Sequence, residues 1–139
     1  MSAGAFASYE PVAMTQTVAH TVLVVDDSQL VREVVRDLIN AFPGFRVVGT
    51  ARDGEEALRL VHTLQPELVT LDVEMPGIDG LHALGYIMSE VPRPVVMFSG
   101  ATTRGPLDLT IRAFELGAVE FVRKPDGAAG WEDVGPRLH

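Results

Sequence analysis

Cysteine is missing from the 139 residues, which excludes disulfide staples, thiolate–metal sites and thiol nucleophiles. Any chemistry must run on oxygen and nitrogen groups. Cations are scarce as well: 11 Lys and Arg stand against 19 Asp and Glu, for a formal net charge of −8. Contact with a phosphate backbone needs clustered Lys and Arg, and the few here are scattered, so no nucleic-acid partner is expected. No apolar run is long enough to span a bilayer, and residues 1–16 hold no Lys or Arg ahead of an apolar stretch, as a secretory signal would. The expectation is a cytoplasmic protein with no membrane segment. What the sequence does have is apolar side chains, 47% of its residues, enough for one core in a chain of single-domain length.

Residues 1–20 mix Ala, Ser, Thr, Gly and Pro without a sustained period and read as a flexible leader. From Thr21 to Pro125 short Val- and Leu-rich runs alternate with longer segments whose apolar residues recur every three or four positions. That alternation predicts an α/β fold with a doubly wound parallel sheet of five strands. The strands are expected at 21–26, 45–50, 67–72, 94–99 and 118–122. Ser28 is placed to cap a first helix reaching about Ala41, with an apolar stripe of Leu30, Val31, Val34, Val35, Leu38 and Ile39. Asp53 and Glu56 have capping-box spacing for a second helix, which buries Leu58, Val61 and Leu64 and ends near Gln65 and Pro66. The turn-rich run from Met75 to Gly80 leads into a third helix through Glu90. A fourth runs over roughly Leu107–Leu116, closed by Gly117 as a left-handed cap. Residues 126–139, with three Gly and Pro136, hold too few periodic apolar positions for a full fifth helix and read as a tail, a linker or an incomplete helix.

Ligands of a doubly wound sheet bind at the carboxyl ends of its strands. Strand one ends in Asp26-Asp27, strand three in Asp72 and strand four in Ser99, and Lys124-Pro125 follows strand five. Taken singly, each has a plainer reading: a polar strand exit, a turn-initiating Asp, a solvated Lys. Together they bring three carboxylates, a hydroxyl and an ammonium to one pocket. Clustered carboxylates raise one another's pKa and are tolerated at neutral pH mainly when a divalent cation or a Lys neutralises them. Mg²⁺, which keeps waters and bridges to phosphate oxygens, suits such a set. Asp72 at the centre would then be a nucleophile towards phosphorus, with the metal and Lys124 neutralising the equatorial oxygens and Ser99 hydrogen-bonding another.

The run Val22-Leu23-Val24-Val25-Asp26-Asp27-Ser28, the run from Leu71 to Gly80, Ser99 and Lys124-Pro125 resemble the receiver domain of two-component response regulators. The resemblance covers Thr21 through Pro125 and implies a flavodoxin-like, CheY-like fold. Finer stretches are similar to the receiver half of the chemotaxis protein-glutamate methylesterases, the CheB family: residues 48–54, 70–76, 94–97 and 115–122. The resemblance implies that Asp72 is the phospho-acceptor and that Asp27, Asp72 and the backbone carbonyl of Glu74 hold Mg²⁺ with help from Asp26. It also makes Ser99 the switch hydroxyl, Phe121 the switch aromatic and Lys124 the site lysine. A plain core role for Phe121 in strand five stays equally open. The implied partners are a sensor histidine kinase of the CheA type, a C-terminal methylesterase domain and chemoreceptors.

Two departures qualify this. No Gly-x-Ser-x-Gly elbow or Ser-His-Asp framework is present, so the esterase chemistry cannot reside in these residues. The other reading is a stand-alone CheY-like receiver acting by phosphorylation-dependent partner binding. In the receiver arrangement the first and fifth helices share one face of the sheet. With the fifth incomplete, strand residues among 22–25 and 118–122 are expected to be partly open to water. Cover could come from Trp131 and Leu138 of the tail, from a second copy in a dimer, or from residues beyond His139.

Overall fold

The computed structural model describes residues 19–100 and 106–125. Strands and helices alternate along them: β1 His20–Val25, α1 Gln29–Asn40, β2 Phe45–Ala51, α2 Gly54–Leu64, β3 Leu68–Asp72, α3 Gly80–Glu90, β4 Val95–Ser99, α4 Pro106–Glu115 and β5 Glu120–Arg123. All four strand pairings are parallel, in the order β2-β1-β3-β4-β5. This is the doubly wound sheet read from the sequence. Among the described residues four helices accompany it.

The helix starts follow their caps. Ser28 accepts from the Val31 N–H at 3.2 Å, Asp53 from the Glu56 N–H at 2.8 Å and Asp79 from the His82 N–H at 2.9 Å. Each contact satisfies one of the N–H groups that a helix leaves unpaired at its first turn. The capping box of α2 closes one residue early, because the Glu56 carboxylate accepts from the N–H of Arg52 rather than that of Asp53. Gly117 takes φ +112°, as a left-handed cap requires.

Alternating strand residues divide between two cores. On one face Leu23, Val25, Val69, Leu71, Val95 and Met97 pack with Ala57, Val61, Leu84, Ile87 and Ala113 of α2, α3 and α4. On the other, Val22, Val24, Val96, Phe98 and Val122 pack with Val35 and Ile39 of α1. The strand residues of this face that were expected to be partly open are closed, with Val22, Val24 and Val122 at most 1% exposed, while Phe45, Val47 and Leu68 beside them are partly buried. The suggested anchors Trp131 and Leu138 lie outside the described residues, as do most of the leader and all of the tail.

Several boundaries move. His20 opens β1 instead of ending the leader, pairing with Phe45. β1 stops at Val25, so Asp26 lies just beyond the strand. β2 runs on to Ala51, while β3 and β4 each begin one residue later than expected, at Leu68 and Val95. β5 starts at Glu120, not Ala118, because Ala118 still donates its N–H back to Ala113 in the cap of α4. Leu30 is 70% exposed rather than buried. It lies about 140° around α1 from the buried Val35, so it faces away from the sheet while Val31 beside it packs on the core. Leu64, at the last turn of α2, is 38% exposed, and Ala57 and Val61 make the buried side there.

Candidate functional site

The chain leaves β1 outward to β2 and returns to β3 on the other side of β1, so strand order reverses between β1 and β3. A crevice opens at the carboxyl ends of such a pair. Asp26 follows β1 there, Asp72 closes β3, Ser99 closes β4 and Lys124 follows β5.

Asp26 and Asp72 are 3% and 1% exposed, and the ammonium of Lys124 lies between them. Its Nζ donates to Asp26 Oδ2 at 2.8 Å and to Asp72 Oδ1 at 2.9 Å. Asp26 Oδ1 accepts the Ser28 N–H at 2.9 Å, and Asp72 Oδ1 accepts the Glu74 N–H at 3.3 Å. Asp72 Oδ2 is buried and has no hydrogen-bond partner among the described residues.

Burial pushes the Asp72 carboxyl up to about 7; the neighbouring Asp26 charge adds to the rise, and Lys124 opposes it. Burial likewise raises Asp26, against the hydrogen bonds from Lys124 and the Ser28 N–H. For Lys124 burial is the largest single influence and acts downward. The two carboxylates together outweigh it and hold the ammonium above its ordinary range. One ammonium thus serves two buried acids, with a third acid alongside. Carboxylate oxygens of Asp26, Asp27 and Asp72 all lie within 4.8 Å of one another, and Asp27 is exposed to solvent. Hard oxygen donors, excess negative charge, an orphaned Oδ2 and an open side that admits water all fit a hard divalent cation. The group could hold a metal ion.

The structure therefore brings Asp26, Asp27, Asp72 and Lys124 together. Ser99 borders them: its carbonyl accepts the Lys124 N–H at 2.7 Å, while among the described residues its buried hydroxyl makes one long contact, 3.4 Å to the Gly100 carbonyl. Glu74 enters through its N–H. Phe121, on β5, is half-buried against the core that α2, α3 and α4 share. Two residues at the site were not anticipated. Arg32 Nη1 donates to the Asp26 carbonyl at 2.8 Å. Gly80 packs so closely on the end of β3 that a Cβ there would run into the Asp72 carbonyl oxygen. Only the turn-rich sequence around Gly80 hinted at the second, and no local pattern marked the first.

Residues 22–129 match the response regulator receiver domain. The chain belongs to this family of receivers. The receiver is 50% identical over 107 residues to a protein-glutamate methylesterase/protein-glutamine glutaminase of Pyrococcus horikoshii. It is 53% identical over 107 residues to the protein of that name in Symbiobacterium thermophilum. Each match takes in 77% of this chain but 29% of the relative, so the chain spans under a third of those proteins. The crystal structure of the response regulator domain of Thermotoga maritima CheB matches with a TM-score of 0.79 at 42% identity, covering 86% of this chain and 90% of that one. A chain of the CheX-CheY-BeF3-Mg complex of Borrelia burgdorferi matches at 0.71 and 30% identity, covering 88% and 91%. The receiver is thus CheB-like. No described helix is long and apolar enough to cross a membrane.

Proposed function

We propose that the receiver, residues 21–125, accepts a phosphoryl group on Asp72 from a CheA-type sensor histidine kinase in the cytoplasm, and thereby regulates an attached methylesterase domain that acts on chemoreceptors. The observation that carries this reading is Asp72 itself. Its carboxylate ends the central strand at the point where strand order reverses, with Oδ1 anchored by Lys124 and Oδ2 buried without a partner among the described residues. Asp26, Asp27, Asp72 and the Glu74 backbone carbonyl would hold Mg²⁺, whose positive charge offsets that of the carboxylates and of the incoming phosphoryl oxygens.

In the transfer, a carboxylate oxygen of Asp72 forms the new bond to phosphorus as the donor's P–N bond breaks, and the kinase histidine keeps the electron pair and takes up a proton. Lys124 is positioned to follow the charge, exchanging part of its contact with Asp72 for a phosphoryl oxygen. Ser99 has a buried hydroxyl whose contact among the described residues is long, so it can turn to a second phosphoryl oxygen. Phe121, half-buried on β5 and paired with Met97 of β4, would change its packing when Ser99 at the end of that strand moves. The methylesterase assignment rests on identity, which is 42% to the CheB domain and 30% to the chain of the CheX-CheY complex; that difference favours it over a stand-alone receiver.

Incubation with Mg²⁺ and a small phosphodonor, followed by mapping of the adduct, tests the central claim. A single phosphoryl group on Asp72 is expected, absent in Asp72→Asn and in excess chelator. Undiminished incorporation in Asp72→Asn would remove the mechanism.

A further inference from the structure

We propose that Arg32 is a positioning residue for the acidic site: by holding the Asp26 carbonyl it fixes the peptide unit that joins the two neighbouring aspartates, and so sets where Asp27 presents its carboxylate. This deepens the proposed function and rests on it. Every polar group of Asp26 is engaged. Its N–H donates to the Ala51 carbonyl at 3.0 Å, Oδ1 accepts from Ser28, Oδ2 from Lys124, and the carbonyl from Arg32 at 2.8 Å. Asp27, by contrast, is exposed and stands in the turn between β1 and α1. Its direction is inherited from the backbone on either side.

A peptide unit is planar, so the orientation of the Asp26 carbonyl also fixes the N–H of Asp27 and the line along which the Asp27 Cα leaves. On the far side Ser28 is held by its cap contact with Val31. On the near side the carbonyl has Arg32. Side chains on a helix lean towards its N-terminus, and Arg32, whose own N–H makes an early helical bond to the Ser28 carbonyl at 2.9 Å, reaches back over the opening turn to do this. A cation so near the positive end of a helix, with no acidic residue in the first turn of α1 to offset it, is unfavourable for the helix itself. Its charge-assisted hydrogen bond to the strand-end carbonyl supplies a reason for it to be there.

The sign of the effect separates positioning from simple electrostatics. Removing a positive charge beside three carboxylates should by Coulomb attraction alone tighten cation binding, whereas losing the alignment of Asp27 should weaken it. Calorimetric titration of the full chain with Mg²⁺ should show about a tenfold weaker affinity in Arg32→Ala, the size typical of lost support behind a metal ligand, and recovery of most of it in Arg32→Lys. Unfolding in chelator, run alongside, reports any loss of fold. Unchanged or tighter Mg²⁺ binding in Arg32→Ala overturns the proposal even if stability falls, and so does a Lys variant that binds no better than the Ala variant. Should Arg32→Ala fail to fold, Arg32→Met keeps the apolar stem and loses the donor together with its charge, and wild-type affinity there is equally fatal. If the wild-type chain takes neither Mg²⁺ nor a phosphoryl group on Asp72, the proposed function fails. If it takes both and Arg32→Ala keeps its affinity, only the role of Arg32 fails.

Discussion

At the carboxyl ends of the strands, Asp26 and Asp72 are almost fully buried around one ammonium, and Asp72 Oδ2 has no partner among the described residues. At the amino ends the same kinds of group are arranged quite differently. His20 meets Glu67 at 2.9 Å, His62 meets Glu90 at 3.0 Å, and the Arg93 guanidinium donates to the Val91 and Pro66 carbonyls. Both His–Glu pairs stay about half exposed, where water screens them. The amino end closes turns with contacts worth little each. The carboxyl end concentrates unsatisfied charge where the dielectric is low, which costs stability and makes the site responsive to a cation or a phosphoryl group. On this contrast, substitutions should change stability, in either direction, by more the closer they lie to the carboxyl end.

Gly80→Ala should show the largest loss of stability. The new Cβ would collide with the Asp72 carbonyl and come within 2.7 Å of the Val73 Cα, both backbone atoms that cannot swing away. We expect about 4 kcal/mol of destabilisation in urea unfolding, with slower phosphorylation in whatever fraction folds. Gly44→Ala is the comparison, because nothing lies within 4 Å of a Cβ there and only its φ of +91° resists the change.

Next comes Lys124→Ala. Losing the ammonium leaves two buried carboxylates facing one another, a change that should cost about 3 kcal/mol in chelator at pH 8. Mg²⁺ should recover part of this, and its affinity should not fall, since a repelling cation has been removed. Phosphorylation should no longer produce the conformational response. A clear drop in Mg²⁺ affinity would contradict the assignment of roles.

How far the contrast was visible beforehand differs between its two halves. Asp26, Asp27, Asp72, Ser99 and Lys124 could be placed because strand ends are marked by a change from apolar to polar or charged residues, and the parallel topology fixes which ends converge. Their unequal burial could not. Asp26 and Asp27 are adjacent and chemically identical, yet one is 3% exposed and the other lies open, because Asp26 sits one residue past β1 and still bonds to Ala51 of β2. That depends on where the strand stops, which apolar periodicity fixes only to within a residue or two. Arg32 was missed for a related reason: its partner is a backbone carbonyl, which leaves no mark in side-chain pattern. At the amino end, the pairings of His62 with Glu90 and His20 with Glu67 join residues 28 and 47 positions apart, so nothing local announced them.

The dependence of stability on pH should separate the two ends by a smaller margin. Asp72 rises from 3.8 to about 7 on folding, so the folded chain holds a proton that the unfolded chain has already released between those values. Linkage then makes stability fall as pH rises through that window, with no further loss from this group above it. Asp26, raised by burial, pushes in the same direction. In chelator, Asp72→Asn should therefore be more stable than wild type at pH 8 by about 2 kcal/mol, and the gap should shrink towards pH 5. Equal slopes for the two proteins would mean that the Asp72 carboxylate is better solvated than its burial implies.

The smallest effect belongs to the amino end, and it is the one on which the contrast most depends. His62→Ala removes a partner of Glu90 from a pair in which both side chains are 49% exposed, so the freed carboxylate returns to water rather than to a low-dielectric interior. Exposed pairs of this kind contribute little beyond the entropy of holding two side chains in register, and a loss under about 0.5 kcal/mol is expected. The pair nevertheless ties α2 to α3, and α3 opens directly after the loop that follows Asp72. Were the site strained by how those helices sit, releasing the tie would alter phosphorylation at Asp72 as well as stability. We expect no change in Mg²⁺ affinity or in the rate of phosphorylation by a small donor. A several-fold change in either, at unaltered stability, would show that the two ends of the sheet are mechanically coupled and that burial at the carboxyl end alone does not set the chemistry of Asp72.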